Sequence, residues 1–537
     1  MPTFKLDDRE IAFEPGDTII QAAARAGIEI PHYCWHPGLS VAANCRMCLV
    51  ELLPPPGRQP LLLDVLRWDP ETETYVPEKK PKLVPACQQP LADGMVVKSD
   101  TSEHVLRARS AVQEFLLLNH PVDCPICDQA GECRLQDYWL EHQASAKRMR
   151  DEIVHKPKAV VFGPTIVYDA ERCILCTRCV RFCEEVAKDP VLSKRERGNL
   201  SEIVLAPGRQ LDHPYSLMTE FVCPVGALTA VDFRFKARVW FLRSARTVCQ
   251  GCATGCNAYL DYDPRSQKVY RYRPRENLAV NQYWMCDEGM LSCRRAYERR
   301  VRRARVKGKR RSMQQGIAAA ASQLRHVTPD QLGVVLSAQH SQEDNYALLL
   351  LARALGVKTF YITGRAEGEG DAILRDPDKN PNTAGVEQLC GDNEPAAFSE
   401  LVQAVEQRRL SHVLALGGDV PEPERVAGFD TLEALVVLAV HKAPLLKHAT
   451  VVLPAASWAE GDGTFVNCRG MAQLSERAVM PQGDSRPAWQ IICALARSLG
   501  HDLGIGRLEQ IRSALELPAA PSQDGAQAAR AEAGAVR

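Results

Sequence analysis

"HPVDCPICDQAGEC", residues 120–133, sets Cys124, Cys127 and Cys133 at metal-ligand spacing and stops one donor short of four. A cluster held by four side chains needs another ligand nearby, and His120 is separated from Cys124 only by Pro121-Val122-Asp123. A turn of that length can bring the imidazole to the same metal, and Pro121 and Pro125 stiffen the approach. The plainer reading is a histidine at a helix end, because "EHVLRARSAVQEFLLL" predicts a helix over 103–118 that stops just before it. Imidazole is nevertheless a legitimate iron ligand, and neutral nitrogen in place of a thiolate removes negative charge from the site.

Working outward, "CILCTRCVRFC" offers Cys173, Cys176, Cys179 and Cys183, a run like that of bacterial ferredoxins but with no proline after the last cysteine. In two-cluster ferredoxins the fourth cysteine of such a run serves the other cluster, and a Cys-Pro element closes the site from a distance. "FVCPVGAL" supplies that element, so Cys223 is assigned with Cys173, Cys176 and Cys179, and Cys183 is read as a buried bystander. Upstream, "CWHPGLSVAANCRMC" and "PACQQP" give Cys34, Cys45, Cys48 and Cys87, four thiolates that suit a binuclear iron–sulfur site with a long loop before the last ligand. A structural zinc would also accept them. Farther on, "CQGCATGC" and "YWMCDEGM" give Cys249, Cys252, Cys256 and Cys286.

Fifteen cysteines and one histidine thus make four sets of four with no donor missing, and that balance favours His120 as a ligand. Cys183, Cys293, Cys390, Cys468 and Cys493 remain and are read as small core residues.

The bulk numbers fit a reduced, metal-binding protein. Twenty cysteines lie in 537 residues, sixteen of them before residue 290. The N-terminus shows no apolar stretch with a small-residue cleavage site, which predicts a cytoplasmic protein with thiols rather than a disulfide scaffold. The 66 basic and 66 acidic side chains cancel, so no global field recruits nucleic acid or an anionic membrane. Eleven of the eighteen residues in 294–311, "RRAYERRVRRARVKGKRR", are basic. Without a set of base-stacking aromatics, that run reads as a solvated helix and linker, and no nucleic-acid partner is predicted. The most apolar windows are shorter than a bilayer span, so membrane association is expected only through partners.

The length suggests roughly three to four domains. The N-terminus predicts two strands around Asp7-Asp8 and a helix from Asp17 or Thr18 stopped by Gly27, a ferredoxin-like β-grasp pattern. Residues 53–86, punctuated by proline, read as an exposed excursion. In the helix over 103–118, Leu106, Val112, Phe115 and Leu116 are expected to share a face. Beyond 312, "QLGVVLSA", "VKTFYIT", "HVLALGG", "LEALVVLAV" and "ATVVLPA" alternate with helical stretches, including one over 342–355, which predicts a mostly parallel sheet flanked by helices. Gly417-Gly418 could admit a phosphate but reads more simply as a turn.

These residues resemble one family: the large iron–sulfur (G) subunit of NADH:quinone oxidoreductase, respiratory complex I. The likeness runs through "HPVDCPICDQAGEC", "RCILCTRCVRFC", "CPVGAL" and "CQGCATGC" into "LPAASWAEGDGTFVNCRG", residues 453–470, similar to the molybdopterin-oxidoreductase-like domain of that subunit. It implies an α+β and α/β multidomain chain: a 2Fe-2S β-grasp domain over 1–100, a His/Cys3 4Fe-4S domain over 101–155, a ferredoxin-like 4Fe-4S domain over 156–240, a molybdopterin-oxidoreductase-type 4Fe-4S domain over 241–300, a truncated α/β domain over 301–517 and a disordered tail over 518–537. It also implies one 2Fe-2S cluster on the set that begins at Cys34 and 4Fe-4S clusters on the other three. The first three would carry electrons from a flavin, NADH-binding subunit toward other peripheral-arm subunits and quinone, and the fourth, on Cys249, Cys252, Cys256 and Cys286, would lie off that path. No NADH or quinone site is expected on this chain.

Full-length members of the family have a longer C-terminal region, so loss of molybdopterin binding is expected. The diaphorase part of a soluble NAD-linked hydrogenase or formate dehydrogenase uses similar relays and remains an alternative, as does a zinc-bound scaffold.

Overall fold

The computed structural model describes residues 1–53, 59, 62–143 and 145–518, in two compact units that meet at Val239/Trp240 in the sequence. The expected disordered tail lies outside the described residues except for Pro518.

The first unit opens with a five-stranded sheet in the order Arg9–Ala12, Thr3–Leu6, Val96–Lys98, Leu49–Leu53, Leu83–Pro85. Val96–Lys98 runs parallel to Thr3–Leu6 and the other pairs are antiparallel. Helix Ile19–Arg25 starts at Thr18, whose main-chain N–H donates to Gln21 Oε1 at 2.9 Å, and it lays Ile19, Ile20, Ala22 and Ala23 into a core with Phe4, Leu6, Val50 and Val97. Burying a side chain such as Ile19 contributes about 1.5–3 kcal/mol. Cys48 and Cys87 belong to this same core, so the β-grasp packing fixes two ligands directly.

Part of the 53–86 excursion is an antiparallel hairpin, Leu62–Asp69 with Thr74–Pro81, on which Trp68 and Tyr75 face each other edge-on at 5.1 Å while Leu66 stays 69% exposed. Most of the proline-rich stretch 53–60 falls outside the described residues.

Helix Glu103–Leu117 forms where predicted, but its inward face differs from the expected one. Phe115 is 74% exposed and Leu106 is also exposed, whereas Val105, Arg109 and Gln113 are buried. Hydrogen bonding decides this. Arg109 donates to Asp100 and Ser99 at 2.6 Å each, and Gln113 accepts from Tyr33 Oη at 2.5 Å and donates to the Leu135 carbonyl at 2.9 Å. A hydrogen-bonded polar stripe can be buried as well as an apolar one. Farther along, Ile166–Tyr168 pairs with Leu228–Ala230 and Val160–Val161, beside helices Arg178–Glu185 and Met218–Val222.

The second unit begins with an antiparallel sheet of Arg243–Val248, Asn257–Asp263 and Lys268–Pro274. It continues into a seven-stranded sheet in the order Lys309–Arg311, Ala304–Val306, Val451–Pro454, Ala434–Ala439, His412–Leu416, Leu332–Ser337, Phe360–Thr363. The last five are parallel, as their apolar runs predict. Helices Met313–Leu324, Gln342–Ala354 and Ala488–Leu499 cover one face, and Phe398–Glu406 covers the other.

The basic run is not a solvated helix and linker. After a short turn at Ser292–Ala296 it forms the edge hairpin Ala304–Val306 and Lys309–Arg311. Arg300 is fully buried against Glu460 at 2.6 Å, and Arg295 pairs with Asp419 at 3.2 Å. Charge density concealed an ion pair that pins this segment to the sheet. Among the described residues, no helix is long and apolar enough to cross a membrane.

Candidate metal centres

The sequence-predicted cysteines of each set lie near one another, while the groups that bond to His120 or act most strongly on it are Val122, Asp123, Arg172, Asp169 and Lys158 rather than the three thiols. In the first, Cys34 N–H points at Cys45 Sγ at 3.5 Å, and a hydrogen bond from the Cys45 thiol pulls the Cys34 thiol down to about 5. Cys48 and Cys87 pair in the same way, and Cys34 and Cys48 also feel one another's charge. The set is therefore two thiol pairs side by side, 34 with 45 and 48 with 87. Arg46, between Cys45 and Cys48, has φ 63°, and a left-handed residue between ligands turns main-chain N–H groups toward one point.

Cys124, Cys127 and Cys133 lie within one another's electrostatic reach, and burial pushes the Cys133 thiol up to about 12. Val122, between His120 and Cys124, takes φ 52°, a strained value for a β-branched residue, so the chain reverses in the linker expected to fold back. Burial pushes the His120 imidazole down to about 4, which leaves it neutral with a lone pair to offer. Its Nδ1 accepts the Val122 N–H at 3.0 Å, and ligation through either nitrogen would rearrange that bond.

Cys173, Cys176, Cys179 and Cys223 converge on one another, and burial pushes Cys173, Cys176 and Cys223 up to about 11. Naked thiolates are costly in such surroundings unless a cation lies among them. Leu175 and Thr177, one in each Cys-x-x-Cys gap, have φ 55° and 61°, and Leu175 N–H reaches Cys173 Sγ at 3.4 Å. Cys183, one helical turn after Cys179, contacts His213 Nε2 at 3.5 Å.

Cys249, Cys252, Cys256 and Cys286 meet in the second unit. Gly251 and Gly289 send N–H groups to Cys249 Sγ and Cys286 Sγ at 3.3 and 3.2 Å. A Cβ on Gly289 would stand 3.0 Å from Cys249 Sγ and 3.2 Å from Cys286 Sγ, and one on Gly226 would overlap Cys127 Sγ. Ligand counting passes over these glycines, although "CPVGAL" and "CDEGM" place one beside each closing cysteine.

Of the five remaining cysteines, Cys183, Cys293, Cys390 and Cys493 are buried as expected. Cys468 is not a core residue: it is exposed in the turn after strand Gly463–Val466, where its N–H bonds the Ala253 carbonyl.

The first three sets are contiguous within their unit. Asn44 of the first donates to the Leu175 carbonyl of the third at 3.2 Å, and Arg172, next to Cys173, holds Asp123 of the second at 2.6 and 2.9 Å. In the second unit a cavity opens at the carboxyl ends of the parallel strands, between Ser337 and Gly417, where the strand order reverses. Such reversals are where open α/β sheets form crevices. Arg295, His340, Arg365 and His441 line it, with Asp419 opposite.

Grouped cysteines whose sulfurs take main-chain N–H groups, with glycines leaving room beside Cys127, Cys249 and Cys286, define an iron–sulfur protein. Comparison with known proteins agrees. The family of 2Fe-2S iron-sulfur cluster binding domains matches residues 1–102, the NADH-ubiquinone oxidoreductase-G iron-sulfur binding region 109–148, the ferredoxin-like domain of NADH-quinone oxidoreductase subunit 3 163–229, and molybdopterin oxidoreductase 316–498. The G subunit of the Rickettsia felis NADH-quinone oxidoreductase is 28% identical over 95% of this chain and 90% of its own. The mitochondrial NADH-ubiquinone oxidoreductase 78 kDa subunit of Candida albicans is 39% identical over 54% of this chain and 36% of its own. A solved NAD+-reducing [NiFe]-hydrogenase chain is 29% identical, with a TM-score of 0.36, over 44% of this chain and 91% of that one. The family models and curated relatives it matches include those of the G subunit of NADH-quinone oxidoreductases.

Proposed function

We propose that the chain is the electron-relay subunit of an NADH-quinone oxidoreductase, with a 2Fe-2S cluster on Cys34, Cys45, Cys48 and Cys87 and 4Fe-4S clusters on His120, Cys124, Cys127 and Cys133, on Cys173, Cys176, Cys179 and Cys223, and on Cys249, Cys252, Cys256 and Cys286. The observation that carries this reading is the contiguity of the first three sets. Clusters of these kinds, when bound, accept and release single electrons at potentials set by charge, burial and hydrogen bonds to sulfur. The chain's own residues supply that setting. Main-chain N–H groups of Leu175, Gly251 and Gly289 reach ligand sulfurs, Tyr168 hydrogen-bonds Cys173, and neutral His120 lowers the negative charge of its set. Asn44 and Arg172 tie the third set to the first and second, which supports a path from the Cys34 set through the Cys173 set to the His120 set.

Other subunits of the complex are the partners. A flavin subunit would supply electrons, and neither NADH nor quinone needs a site here. The complex would hold the chain on the cytoplasmic face of the membrane. No molybdopterin is assigned to the chain; among the described residues the lining of the second unit's cavity contains no cysteine, and Cys390 ends helix Thr383–Cys390 outside it.

A zinc scaffold would draw four thiolates to one centre at about 2.3 Å. A cluster instead places several atoms between its thiolates, so the two readings differ in what the same cysteines would hold. Iron and sulfide analysis with EPR on anaerobic protein tests the reading: about fourteen iron atoms are expected from one two-iron and three four-iron sites. Colourless protein loaded with zinc would refute it.

A further inference from the structure

Helix Arg178–Glu185 carries Cys179 of the third ligand set, and two buried arginines on it reach across to the first. Arg178 and Arg181, three residues apart, are each only 9% exposed. Every hydrogen bond they make goes to a main-chain carbonyl. Arg181 donates to Cys34 O at 2.5 Å, to Cys176 O at 3.4 Å and to Ser40 O. Arg178 donates to Trp35 O and, at 3.5 Å, to Val222 O. Four of the five carbonyls belong to ligands of both sets or to their chain neighbours, Cys34 and Trp35 on one side and Cys176 and Val222, beside Cys223, on the other; the fifth, Ser40, lies in the loop between Cys34 and Cys45.

The Nε–H groups of both arginines are buried without a hydrogen-bond partner, and among the described residues neither guanidinium pairs with a carboxylate. Two buried cations with no carboxylate between them are unfavourable unless anions lie close. The anions that an occupied site would bring close are its ligand thiolates, since Arg181 sits on the carbonyls of Cys34 and Cys176. Arg172 differs, since Asp123 satisfies it.

We propose that Arg178 and Arg181 are positioning residues that bridge the Cys34 and Cys173 sets, fixing both ligand backbones in one frame and raising the reduction potentials of both sites together. The inference rests on the cluster assignment above. A guanidinium stays charged at every working pH, and its planar fork spans two carbonyls where an ammonium would hold them as a point charge. Reduction adds negative charge to either site, and a fixed cation between them favours the reduced form of each. The sequence shows only two arginines inside a ferredoxin-like run, a position where a solvated helix face would read the same.

The test is a set of variants in the assembled, anaerobically purified oxidoreductase, followed by EPR-monitored redox titration of the 2Fe-2S signal and of the 4Fe-4S signal assigned to the Cys173 set. Arg181→Gln is expected to keep both signals and lower both potentials, each by a tenfold or greater change in the reduction equilibrium, about 59 mV for one electron. Arg181→Lys, which keeps the charge, is expected to lower both by less. Arg195→Gln, at an exposed arginine paired with Glu202, should move neither. Unchanged potentials in Arg181→Gln, a shift confined to one site, or an equal shift in Arg195→Gln would overturn the bridge. If Arg181→Gln fails to assemble, Arg181→Lys decides: full occupancy with small downward shifts at both sites supports the proposal, and no shift refutes it. Absence of both signals from the unaltered protein would instead refute the cluster assignment.

Discussion

The thiol of Cys183 stands 3.5 Å from His213 Nε2, one turn of helix Arg178–Glu185 beyond the proposed ligand Cys179. Burial pushes it up to about 12, so it stays protonated as a small apolar group. Cys183→Ala is expected to keep every cluster signal at a cost of about 1–2 kcal/mol in stability. Loss of one 4Fe-4S EPR signal in that variant would move Cys183 into the ligand set.

His120 supplies a neutral donor where the other sets supply thiolates. His120→Cys is expected to retain a 4Fe-4S cluster while adding negative charge, which lowers its potential and alters its EPR spectrum. A spectrum and potential identical to those of the unaltered protein would show that the imidazole is not a ligand.

Gly289 leaves the space that Cys249 and Cys286 share. A methyl group there must displace one sulfur or both, so Gly289→Ala is expected to weaken or abolish the signal of the Cys249 set while the other three persist. Full iron content with four undisturbed signals would count against this packing.

Asp344, in the first turn of helix Gln342–Ala354, accepts the Trp489 N–H at 2.8 Å, and burial lifts its carboxyl to about 7. The folded chain therefore holds a proton that the unfolded chain releases above about 3.8. The linked stability is full below that value and is lost as pH rises through about 7. Asn cannot ionise and keeps the acceptor, so Asp344→Asn is expected to raise the thermal midpoint of the second unit by a few degrees at about pH 8 and by distinctly less at about pH 5. Melting curves that fall equally with pH in both forms would contradict the assignment.

Local chemistry was legible in the order of residues alone. Ligand spacing in Cys-x-x-Cys runs, the strand–strand–helix start and the apolar strands beyond 312 are short-range patterns, and short-range patterns are written in neighbouring residues. Which groups from distant segments face one another was settled only by the packed chain. Nothing local turns Arg109 and Gln113 of the second helix inward in place of Phe115; Ser99, Asp100, Tyr33 and the Leu135 carbonyl do so from elsewhere in the chain. Nor does a dense run of positive charge reveal that Arg300 will meet Glu460, 160 residues on, in a dry interior. The burial of Arg178 and Arg181 between two ligand sets is of the same kind, because the free energy of a buried charge depends on what surrounds it and not on what precedes it in the chain.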